Sequence, residues 1–212
     1  MKKLVTLLTA LTLMFNSAAL AETAFKTDEA GHPVFENFGK AKQYSNVGQI
    51  EPDCYIILVQ EDNTVYRIVA DYDAKAKALY EDYMKIVENR KPVADTFTAF
   101  EKYCSTLPAR YDSEFTVNPV SQEELDKLAG KTLREAEKDG YSLIPYRYTE
   151  ETDIISCALE RGMYIYTVTL NESWEIYQKC EAESNFDSLT IKSVTWDGRF
   201  STEAFRCESD KQ

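Results

Sequence analysis

The chain carries one histidine, His32, and five cysteines, Cys54, Cys104, Cys157, Cys180 and Cys207, and these bound the chemistry open to it. A Ser-His-Asp or Cys-His arrangement needs an imidazole that shuttles a proton near neutral pH. His32 stands in Gly31-His32-Pro33, the setting of an exposed turn histidine more than of a general base. His32 and Glu36 lack the spacing that places two imidazoles on one helical face for zinc. Asp71-Tyr72-Asp73 lacks the glycine and further oxygens of a calcium loop. No cysteine pair shows Cys-x-x-Cys spacing, so neither a metal nor another cofactor is expected.

Paired carboxylates remain. Glycoside hydrolysis needs two acids at a fixed separation around a sugar. Glu172, Glu175, Asp187 and Asp197 lie near Trp174 and Trp196, rings able to stack on one. Among 36 acidic residues such a grouping also arises by chance, and Trp174 equally fits the buried face of a helix. The formal charge of −12 repels phosphate backbones and anionic lipid surfaces, which argues against nucleic acid or a membrane surface as partner.

The address is written at the start. Lys2 and Lys3, an apolar run from Leu4 to Phe15, and Ala19-Leu20-Ala21 have the layout of a signal peptide over residues 1–21. Cleavage after Ala21 would give a secreted or otherwise extracytoplasmic chain, and loss of the two lysines takes the charge from −12 to −14. No later run has the length of a membrane span, so membrane insertion is not expected. Export permits disulfides, yet five cysteines allow 15 ways to choose two pairs. Cys180 and Cys207 flank the last expected strand and are the favoured bridge; Cys157, inside an apolar strand, reads as a small buried hydrophobe.

The elements that must position these residues follow from pattern. Val34, Phe35 and Phe38 open a short helix, and residues 54–60 and 64–71 read as strands around a tight turn at Glu61-Asp62-Asn63. Asp73 caps a helix to about Asn89 whose apolar face is Ala76, Leu79, Tyr80, Tyr83 and Val87. Lys91-Pro92 interrupts it before a second helix over 93–105. Residues 108–120 form a proline-bounded linker, dividing a first unit at 22–107 from a second at 121–212. Ser121 with Glu124 and Thr132 with Glu135 are capping boxes opening helices 122–129 and 133–139, with Gly130 and Gly140 as their stops. Strands follow at 141–148, 154–160 and 163–170, then a helix over 172–183 capped by Asn171, and a strand over 188–196.

Tyr44-Ser45 matches Tyr141-Ser142 at an offset of 97, and Ile56-Ile57 matches Ile154-Ile155, Tyr66 matches Tyr164 and Asp73 matches Asn171 at 98, with one insertion reconciling them and the later parts diverging. Strand–turn–strand–helix thus recurs, and the fold expected is α+β: two degenerate helix-plus-antiparallel-sheet repeats in one compact body.

"STLPARYDSEF" and "SQEELDKLAGKTLREAEKDGYSL" resemble secreted proteins of anaerobic low-GC Gram-positive bacteria, a resemblance that implies export and carries over no activity. "GKTLREAE" leading into antiparallel strands resembles in layout the tandem helix-plus-sheet modules of β-lactamase-inhibitory proteins and small outer-membrane assembly lipoproteins. Here the strand at 188–196 follows a helix, and no lipid-attachment cysteine is present, both departures from that layout.

Fourteen tyrosines make the strands aromatic. Tyr164, Tyr166, Val168 and Leu170 share one face and should meet the helices, leaving Met163, Ile165, Thr167 and Thr169 on the other. Tyr146, Tyr148, Met163 and Ile165 are therefore the candidate binding residues of a non-enzymatic module recognising a protein, peptide or envelope glycan. The alternatives are an exported carboxylate-dependent hydrolase acting on glycans, or a structural or stress protein without a defined ligand.

Overall fold

The computed structural model describes residues 25–45, 47–89, 94–144, 156–183 and 185–207. The segment 1–21 expected to be a leader, Tyr146 and Tyr148 lie outside the described residues. The chain forms an α+β fold with two compact units: one runs through Thr116 and takes back Cys207, and the other is Val117–Arg206.

In the first unit a short helix α1 (Phe38–Ala41) precedes strands β1 (Gly48–Ile50), β2 (Cys54–Glu61) and β3 (Thr64–Asp71). Helices α2 (Ala74–Glu88) and α3 (Ala94–Cys104) follow, and β4 (Arg110–Thr116) completes an antiparallel sheet in the order β1-β2-β3-β4. Asp73 caps α2 as its sequence position implies, its Oδ1 accepting the amides of Lys75 and Ala76 at 3.1 and 2.8 Å. Its Oδ2 accepts the Tyr103 hydroxyl at 2.7 Å, so one carboxylate both starts α2 and ties α3 to it. Tyr55, Ile57, Ile68 and Ala70 present one sheet face to Phe38, Ala76, Phe100 and Cys104, which form the core. The opposite face is also buried, at Ile56, Leu58, Val65 and Val69.

The second unit has the same strand order. Helices α4 (Gln122–Asp126) and α5 (Leu133–Lys138) lead into β5 (Ser142–Ile144), β6 (Ser156–Arg161) and β7 (Tyr164–Leu170). Helix α6 (Trp174–Glu183) crosses to β8 (Ile191–Phe200), giving an antiparallel sheet β5-β6-β7-β8. The Thr132–Glu135 capping box is complete, whereas Ser121 makes only its half, since Glu124 pairs with Lys127. Gly130 and Gly140 take φ of +83° and +87°, as helix stops require. Asn171 does not cap α6: the first helical amide there, Tyr177 N–H, bonds to the Ser173 carbonyl, placing the cap two residues later.

The stretch expected to be a linker instead supplies β4, which pairs with β3 from Val69↔Arg110 to Thr64↔Thr116. It reads as irregular because it is an edge strand: Arg110, Asp112 and Glu114 interrupt the apolar alternation of Tyr111 and Phe115. The unit boundary falls at its end, between Thr116 and Val117.

Candidate functional site

The strand β7 alternates as its sequence dictates: Tyr164, Tyr166, Val168 and Leu170 are buried, while Ile165, Thr167 and Thr169 are half-buried on the other face. The partner strands extend this second face in rows. Ile144, Ala158, Thr167 and Thr195 stand in register across all four strands; Ser142, Glu160, Ile165 and Arg199 form the next row, and Ser156, Thr169 and Ser193 the third. Ser193, Thr195 and Asp197 are exposed. Thr167 donates to Asp197 Oδ2 at 2.9 Å, Arg199 Nε bonds Asp197 Oδ1 at 2.8 Å, and Arg199 Nη2 bonds the Thr167 hydroxyl. Among the described residues the face is thus a hydroxyl-rich, β-branched surface with a fixed guanidinium–carboxylate pair.

The described rings of β7 and β8 lie on the core side. Tyr164 meets Trp196 edge-on at 5.7 Å, Trp196 meets Phe200 at 6.0 Å, and the indole Nε1 donates to the Arg199 carbonyl at 3.0 Å. Trp196 is therefore committed to packing and not poised to stack on a sugar. Of the four candidate residues, Ile165 occupies the outer face. Met163 does not: the hairpin closes at Arg161↔Tyr164, leaving Gly162-Met163 as the two-residue loop, and Met163 packs against the core. Gly162, at φ +58°, takes the first loop position and turns the next side chain away from strand alternation.

Tyr164 and Tyr166 do further work that their apolar bodies conceal. The Asn118 amide donates to the Tyr164 hydroxyl at 2.7 Å and the Val120 amide to the Tyr166 hydroxyl at 3.1 Å. Two same-face tyrosines thus hold alternate amides of the segment leading into α4.

The carboxylates are mostly engaged. Asp187 pairs with Arg134 at 3.5 Å, Asp197 with Arg199, and Glu172 Oε1 accepts the Thr190 amide at 2.7 Å. Glu172 Oε2 is buried with no hydrogen-bond partner among the described residues, and Glu175 is exposed on α6. An apolar cavity beside Leu133, Cys157, Tyr177 and Phe186 has a volume of about 10 Å³, room for one water. His32 stacks on Tyr111 at 4.0 Å, with Nδ1 3.4 Å from Asp28, in a turn whose Asp28 carboxylate is held below its usual range by the His32 amide.

In the first unit a polar chain crosses β3 and β4. The buried Arg67 donates to Ser113 Oγ at 2.9 Å and lies over Phe115, and Ser113 donates to Asp112, which pairs with Arg110. Arg110 in turn grips Asp71 through Nε and Nη2. This network braces the edge strand, and sequence reading did not find it because the pairing partner was taken for a linker.

The structure joins no two of the five cysteines by a sulfur–sulfur bond. The favoured Cys180–Cys207 pair is not drawn together here: Cys180 packs in the core of the second unit, and the Cys207 thiol shares a hydrogen bond with Cys54 in the first. That hydrogen bond, reinforced by burial, pushes the Cys54 thiol far above its ordinary range. Burial alone raises Cys157 to about 12, and burial chiefly raises Cys104 to about 11. Neither family models nor curated proteins nor solved structures give a match to this chain.

Proposed function

We propose that the protein is an exported, non-enzymatic binding module that recognises a protein, peptide or envelope glycan through the outer face of its second sheet. The observation that carries this reading is the set of cross-strand rows joining Ile165, Thr167, Thr169 and Thr195, with Arg199 and Asp197 fixed beside them. Such a surface combines apolar methyls with hydroxyl donors and acceptors and one oriented charge pair, which suits a wettable recognition face. The engagement of Asp187 and Asp197 in ion pairs favours binding over acid–base chemistry. A signal-peptide layout at 1–21 supplies the export part of the reading.

The test places a photo-crosslinking residue at Thr195 and, as control, at the exposed Asp82, then presents each protein to envelope and secreted material of the producing cell. A discrete adduct at Thr195, absent at Asp82 and abolished by Ile165→Asp in a protein of unchanged circular dichroism, is expected. Identical adducts at both positions, or adducts indifferent to Ile165→Asp, sink the assignment. The unsatisfied Glu172 oxygen favours the hydrolase as second reading. Turnover of chromogenic glycosides that disappears in Glu172→Gln or Glu175→Gln would replace binding with catalysis.

A further inference from the structure

Cys54 opens β2, opposite Asp71 of β3, and is half-buried at the margin of the first sheet. Cys207 follows a turn of 3-10 helix over Thr202–Phe205, started by the Ser201 hydroxyl, and is only 3% exposed. Between these cysteines the chain leaves the first unit at Thr116, builds the second, and returns at Cys207. Their thiols are within hydrogen-bond reach of one another. The other three cysteines pack as small hydrophobes: Cys104 in the core of the first unit, Cys157 and Cys180 in that of the second.

We propose that Cys54 and Cys207 form a disulfide that clasps the returning chain to the start of β2. The odd cysteine count then resolves as one bridge and three buried thiols. The proposal stands apart from the binding-face reading and requires only a compartment that supplies disulfides. An exchange-type disulfide donor takes one cysteine as a mixed disulfide, and the thiolate of the other attacks that cysteine's sulfur. The Cys54–Cys207 sulfur–sulfur bond forms and the donor sulfur leaves. Overall the donor gains two electrons and both thiol protons as its two thiols, and the protein's sulfurs are oxidised by the same amount. Because the Cys207 thiol is buried once docked, exchange is fastest while the tail is still undocked, so the bond forms during folding and afterwards resists reductant.

The closed loop is long, 207 − 54 = 153 residues, and cross-linking a loop of that length restricts the unfolded chain strongly, enough to raise Tm by roughly 10 °C or more. The experiment refolds the full chain with oxidised glutathione, alkylates it before and after unfolding, and maps peptides without reduction. A peptide linked through Cys54 and Cys207 is expected, with Cys104, Cys157 and Cys180 alkylated only after unfolding. Reductant added to the unfolded protein should lower Tm on refolding for wild type but leave Cys54→Ala and Cys207→Ala unmoved. That reductant dependence separates a covalent clasp from packing, because packing losses persist in both redox states. Quantitative alkylation of both residues after oxidative refolding, or a dominant Cys180–Cys207 peptide, overturns the proposal.

Discussion

Replacing Tyr166 by Phe removes one oxygen and nothing else. The ring stays in a site that is 0% exposed, but the Val120 amide loses the acceptor it reaches at 3.1 Å. Tyr164→Phe does the same to Asn118 at a ring 8% exposed. Residues two apart on a strand are about 6.7 Å apart on one face, which matches two tyrosines on β7 to two alternate amides of an extended segment. A net hydrogen bond contributes about 1 kcal/mol, and a donor left buried without a partner costs about 1–3 kcal/mol. Tyr166→Phe should therefore destabilise by about 1–2 kcal/mol, and Tyr164→Phe by less, because water reaches its rim. The double variant should lose nearly the sum if the two bonds act independently. Urea unfolding with an unchanged slope measures the loss, and native-state hydrogen exchange reports Asn118 and Val120 directly. If Tyr166→Phe shifts stability by less than about 0.3 kcal/mol and Val120 keeps its protection, the hydroxyl is not what holds this segment.

The Thr132 hydroxyl accepts the Glu135 amide at 3.2 Å while Glu135 Oε2 accepts the Thr132 amide at 2.8 Å. Thr132→Ala should cost about 1 kcal/mol and Thr132→Ser almost nothing, read by thermal or urea melts; equal losses would mean the methyl and not the cap matters. Alkaline pH should unfold the protein cooperatively. Burial raises Tyr55 from 10.0 to about 12, Cys104 from 9.0 to about 11 and Cys157 from 9.0 to about 12. Each folded pKa lies above its unfolded value, so the unfolded chain releases protons first and stability declines as pH rises. These contributions are whole below about pH 9 and lost towards pH 12. Tyrosinate absorbance should rise together with loss of near-ultraviolet dichroism, and titration of all fourteen tyrosines near pH 10 in a still-folded protein would contradict the burial argument.

Local signals carried most of the elements. Thr64–Asp71 is a strand over the span its β-branched residues mark, Asp73 and Thr132 are caps, and Gly130 and Gly140 are stops with positive φ. The caps and stops depend on neighbours within four residues, the range over which side chains bond their own backbone, and the strand on its own run of β-branched residues. What escaped depends on distant partners. Arg110–Thr116 is a strand because β3 supplies its hydrogen bonds, and no apolar run within it announces that. Cys207 meets Cys54 because the chain returns to its first unit after a complete second one, a fact of topology that spacing cannot encode. Met163 is misplaced for a local reason: starting the strand at 163, where the structure starts it at Tyr164, moves one residue from loop to strand.

The two sheets share an order, and each inserts helical structure between its third and fourth strands, so their third strands can be compared side chain by side chain. On β3 the face away from the helical core carries Val65, Arg67 and Val69, all buried; on β7 it carries Ile165, Thr167 and Thr169, all half-buried. Valine is worth burying for its area alone, whereas a threonine hydroxyl must find a partner when water is removed. Arg67 satisfies part of that demand through Ser113, and Thr167 does so through Asp197 and Arg199 while remaining within reach of solvent. Hydroxyls at Thr167, Thr169 and Thr195 suit a strand face that water reaches better than a sealed one. A face that stays wetted yet offers both methyls and hydrogen bonds gains from all of them, which is the physical ground for placing the proposed binding face on the second sheet and not the first.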